Sequence, residues 1–105
     1  MNKFKLKIEK IGIKCLLVSI GEIQKVQVTD GDDLLFLAIV GELQQVFIKK
    51  MFNTDSDKNQ YKISLSPAQA ISLKKMHELF EPGVETYFGN LLHKISTDVH
   101  KQYFQ

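Results

Sequence analysis

The stretch YKISLSPAQAISLKKMHELF, residues 61–80, decides how the rest of the chain is read. Tyr61, Ile63 and Leu65 alternate with Lys62 and Ser64, a period of two that puts the apolar side chains on one face of a strand. Ser66 then takes the N-cap position of a helix. Pro67 takes the first helical position, where its missing N–H removes no helical hydrogen bond. Gln69 follows three residues after Ser66, the spacing of a capping box, in which each residue satisfies the other's backbone N–H. The helix runs to about residue 80, with Ala68, Leu73, Met76, Leu79 and Phe80 on its apolar side, and Pro82-Gly83 stop it.

Working back from this junction, NTDSDKNQ, residues 53–60, holds only polar and turn-forming residues and reads as an exposed hairpin loop. Its Asp55 and Asp57 have the spacing of a calcium loop, but the central glycine and the terminal glutamate of such a loop are missing. The loop makes residues 46–52 a strand paired with residues 61–65, although the same residues also suit the prolongation of a helix. Residues 34–44 read either as a helix buried on most of its circumference or as a central strand, and the aspartates ahead of them favour the helix. Asp32 or Asp33 caps it, and Ala38, Glu42 and Gln45 gather on the narrow remaining side.

At the N-terminus KFKLKI, residues 3–8, turns Phe4, Leu6 and Ile8 one way and its lysines the other. Residues 13–20 and 23–29 read as two further strands, with Gly12 at a bend and Gly21-Glu22 at a turn. Beyond the anchor, Val84, Phe88, Leu91, Leu92, Ile95, Val99 and Tyr103 fall within an arc of about 120° on a last amphipathic helix. Thr86, Asn90, His93, Thr97 and His100 lie opposite, and no sequence repeat is visible. The expected fold class is α+β: one domain, with a small N-terminal antiparallel sheet, an inserted buried helix, and two C-terminal helices packed on the sheet.

Composition narrows the function. The 105 residues are 44% hydrophobic and 25% charged, ordinary for a folded domain with a modest core. The net charge of +2 does not by itself demand a nucleic-acid partner, and all 14 basic residues are lysine. The absence of arginine argues against base-specific reading of DNA. The single cysteine, Cys15, excludes an intrachain disulfide and sits in the apolar run CLLV, where an inert buried thiol is expected. The longest apolar run, residues 34–40, falls short of the ~20 residues of a membrane span, and the N-terminus lacks the apolar core of a signal peptide. An intracellular, cytoplasmic location with no membrane partner is therefore expected.

Constellations for chemistry are sparse. His93 and His100 are two turns apart on one helix, about 10 Å along its axis, too far to share a metal ion. No glycine-rich phosphate loop and no nucleophile elbow occurs, so neither cofactor, metal nor catalytic role is expected. Two functions remain. The apolar surplus points to a non-catalytic binding or adaptor domain that pairs with itself or another protein, with Tyr103 and Phe104 at the interface. Alternatively Lys3, Lys5, Lys7, Lys14, Lys49, Lys50 and Lys62 line one sheet face and hold a single-stranded nucleic acid through its phosphates.

For the second reading, the strand, KISLSPAQ and the lysine-bearing helix after it resemble the strand-to-helix junction of the positive-cofactor-four and Whirly class of single-stranded DNA-binding proteins. The resemblance covers about 20 of the 105 residues and implies a curved antiparallel sheet closed by a helix, usually in a dimer. The chain departs from that class by the apolar segment at residues 34–44, by a second long C-terminal helix and by having no tryptophan.

Overall fold

A computed structural model of the chain describes residues 2–26, 30–52, 59–80 and 86–104. Its elements run β1 (Phe4–Glu9), α1 (Lys10–Ile23), α2 (Gly31–Phe52), β2 (Gln60–Leu65), α3 (Pro67–Phe80) and α4 (Tyr87–Tyr103). This is a small α+β fold, and β1 and β2 pair as its two-stranded sheet. The pairing is antiparallel: the Lys5 ammonium donates to Ser64 Oγ at 2.8 Å, and the Lys10 N–H donates to the Asn59 carbonyl at 2.9 Å. One register satisfies both contacts. It sets Phe4 across from Leu65, Ile8 across from Tyr61, and Lys7 across from Lys62.

Both strands alternate as the sequence predicts. Phe4, Leu6, Ile8, Tyr61, Ile63 and Leu65 are buried, while Lys5, Lys7, Glu9, Gln60, Lys62 and Ser64 are exposed. A two-stranded ribbon is marginal without helices to bury its apolar face. Among the described residues these two strands make up the sheet.

The chain divides into two compact units, one continuous (Lys7–Ile63) and one assembled from Met1–Leu6 and Ser64–Gln105. In the continuous unit α1 packs against α2. Ile13, Leu16, Ile20 and Ile23 form the buried stripe of α1, and Phe36, Val40, Leu43 and Phe47 that of α2. Intervals of three and four keep each set on one side of its helix.

Two of the segments expected as strands are helical. Residues 13–20 belong to α1, and residues 46–52 continue α2 to Phe52. Both segments carry Ile and Val, and the second also Phe, which favour strands when isolated, but burial along a helical stripe overrides that preference. Gly12 and Gly21 lie inside α1 rather than at a bend or turn. Residues 24–26 form a turn, and the remainder of the third expected strand lies outside the described residues, as does most of the 53–60 loop with Asp55 and Asp57. The cap of α2 is Asp30, not Asp32 or Asp33: its carboxylate accepts from the Asp32 N–H at 2.7 Å. Asp32 and Asp33 fill the first turn and Lys49 and Lys50 the last, as the helix dipole favours. This helix buries one face and leaves Leu34 and Leu35 exposed, so it is not enclosed on most of its circumference.

In the other unit the capping box forms as read. The Ser66 N–H donates to Gln69 Oε1 at 3.0 Å and the Gln69 N–H to Ser66 Oγ at 3.2 Å. The buried stripe of α3 is Ala70, Leu73 and Met76, with Ser72 beside it, whereas Ala68 and Leu79 are exposed. Its apolar residues occupy more of the circumference than packing against α4 buries. Thr86 caps α4 by accepting from the Gly89 N–H at 2.9 Å, and Leu92, Ile95 and Val99 are buried on the expected face. Val84 lies outside the described residues.

The order strand–helix–helix runs twice, although no repeat is visible in the letters. Each time a six-residue strand is followed by a fourteen-residue helix. Phe4, Leu6, Ile8 and Leu16 recur at the same spacing as Tyr61, Ile63, Leu65 and Leu73, so apolar character is repeated rather than identity. Among the described residues no helix is long and apolar enough to cross a membrane.

Candidate interaction surfaces

Alternation along the strands decides where four of the seven candidate lysines sit. Lys5, Lys7 and Lys62 are on the exposed sides of β1 and β2, and Lys3 is exposed just before β1. The other three do not share that face. Lys14 is exposed on α1, Lys49 is exposed on α2, and Lys50 is half-buried on α2, because the segments read as strands there are helices.

The strand lysines are not equivalent. Lys5 is engaged by Ser64. Lys7 and Lys62 stand directly opposite one another, and neither forms an ion pair among the described residues. Like charges facing across a ladder destabilise it, so an anion placed between them would relieve repulsion. The same face offers no stacking platform, since Phe4 and Tyr61 are buried on the other side.

Tyr103 and Phe104 make contacts within the chain. The Tyr103 hydroxyl donates to the Asn2 carbonyl at 2.7 Å, beside a bond from Gln102 Nε2 to the Lys3 carbonyl at 3.1 Å. Phe104 stacks on His100, centroids 5.7 Å apart and planes 19° apart. The Lys74 ammonium, which bonds Glu78 at 2.8 Å, lies 5.7 Å from the Phe104 centroid. Half the surface of Phe104 remains exposed.

Sequence reasoning compared histidines along one helix and so missed a pair across two. His77 of α3 and His93 of α4 bring their ring centroids to 5.7 Å. Only the α3–α4 packing could have revealed this. Two imidazoles do not complete a metal site, and among the described residues no three His, Cys, Asp or Glu side chains gather around a common point. Cys15, expected to be buried, is half-buried on α1 and free.

The apolar surplus read from composition becomes visible on α1 and α2. Ile11 and Val18 are exposed on α1, and Leu34, Leu35 and Phe52 on α2, with Phe52 83% exposed. No protein family, curated protein or solved structure matches the chain.

Proposed function

We propose that the chain is a non-catalytic binding module of the cell interior that works by associating with a second copy of itself. The observation that carries this reading is the exposed apolar set on α2, with Leu35 62% and Phe52 83% accessible. Water-exposed leucine and phenylalanine on one helix favour a protein partner that buries them. The free Cys15 accords with a reducing compartment. The test is mass by light scattering across a dilution series: the reading expects a mass above that of one chain that falls on dilution, and a single chain at every concentration refutes it.

A second reading is favoured by the Lys7–Lys62 opposition: a sequence-independent module for single-stranded nucleic acid, held through phosphates on the exposed strand faces. It expects oligonucleotide binding that weakens steeply with salt and drops when Lys3, Lys5 and Lys7 are changed together to glutamine. Fluorescence anisotropy with a labelled strand measures both. Absence of binding at low salt, where charge attraction is strongest, removes this reading.

A further inference from the structure

Along α2 the exposed residues Leu35, Ala38, Glu42, Gln45, Lys49 and Phe52 succeed one another at intervals of three and four. That is the spacing of the seam along which two helices coil together. It lies on the side of the helix away from the buried stripe of Phe36, Val40, Leu43 and Phe47. We propose that this seam receives α2 of a second copy, laid antiparallel about a two-fold axis that crosses between Glu42 and Gln45. The inference rests on the self-association reading and gives it a surface and a direction.

Charge selects the direction. In the antiparallel arrangement Leu35 meets the partner's Phe52, Ala38 meets the partner's Lys49, and Glu42 meets the partner's Gln45. Ala38 is small, so the stem of the opposing lysine crosses it and carries its ammonium to the carboxylate one layer further, pairing Lys49 with the partner's Glu42. Within one chain these two residues are two turns apart, about 10 Å, too far to pair directly. A parallel arrangement would instead set Glu42 on the partner's Glu42 and Lys49 on the partner's Lys49, and like charges in register oppose association. The two-fold places a Leu35–Phe52 layer at each end of a seam about 25 Å long, with the polar layers between. The residues left most apolar and most exposed on this helix are thus the ones the symmetry brings together.

Sedimentation velocity on the full chain, from micromolar to millimolar concentration, tests this. Because Leu35, Lys49 and Phe52 are exposed, substitutions there leave the fold intact, and circular dichroism checks that they do. Phe52→Lys is expected to weaken the dimer by on the order of tenfold. Lys49→Glu and Glu42→Lys are each expected to weaken it, and the double swap to restore it. The restoration is the deciding readout, because a loss of helix stability would not be repaired by a second substitution. A dimer whose affinity ignores Phe52→Lys and both charge changes overturns the α2 seam while leaving self-association standing. Assembly beyond two copies overturns the closed two-fold. A monomer at every concentration overturns the seam and the self-association reading together.

Discussion

Lys7 and Lys62 face each other across the β1–β2 ladder, each without a carboxylate partner among the described residues. Such a pair costs the ribbon a few tenths of a kcal/mol, and opposite charges at the same place contribute a similar amount. Changing Lys62→Glu is therefore expected to raise stability by about 0.2–1 kcal/mol. The gain should be read from the urea midpoint at low ionic strength and should shrink as salt is added. No gain at low salt would mean that the two ammonium groups already splay apart into solvent. If the strand faces hold an anionic chain, the same substitution lowers oligonucleotide affinity while it stabilises the fold, a trade between stability and binding. The exposure of these lysines was legible in the alternation of KFKLKI and YKISL. Their opposition was not, because register is a relation between segments far apart in sequence.

At the scale of elements, the chain is legible where a local signal and a packing pattern agree. The Ser66–Gln69 box and the breadth of the α4 apolar face both pointed to helices, and helices formed. α1 and the second half of α2 were misread because their isoleucines, valines and phenylalanines carry a strand preference. The intervals 13-16-20-23 and 36-40-43-47 that reveal the helical stripe are masked by neighbouring apolar residues that end up half-exposed. The same ambiguity hid three candidate lysines on helices. Gly41 marks where α2 is weakest by composition. A methyl group there would meet only Gln24 Nε2, at 3.7 Å, an ordinary contact. Gly41→Ala is thus expected to stabilise the chain by up to about 1 kcal/mol, seen as a higher midpoint in thermal unfolding. A lower midpoint would show that Gln24 cannot tolerate the added carbon.

At the scale of the whole molecule, the bonds least legible in sequence join residues some hundred positions apart. The Tyr103 hydroxyl and the Gln102 amide hold the carbonyls of Asn2 and Lys3. Removing the hydroxyl with Tyr103→Phe keeps the ring and deletes one hydrogen bond, so a loss of about 0.5–1.5 kcal/mol is expected from denaturant unfolding. An unchanged midpoint would show that water replaces the bond without cost. Together with β1, these bonds make the unit of Met1–Leu6 and Ser64–Gln105 discontinuous in sequence, whereas Lys7–Ile63 is one unbroken segment. Synthesis on the ribosome reads that difference as time. The segment 7–63 has all its own members once residue 63 has been made, but Phe4 and Leu6, made before it, wait for α3 and α4, made after it. Until then their apolar side chains belong to a unit that does not yet exist, and they stay open to wrong contacts while the segment 7–63 is already able to fold.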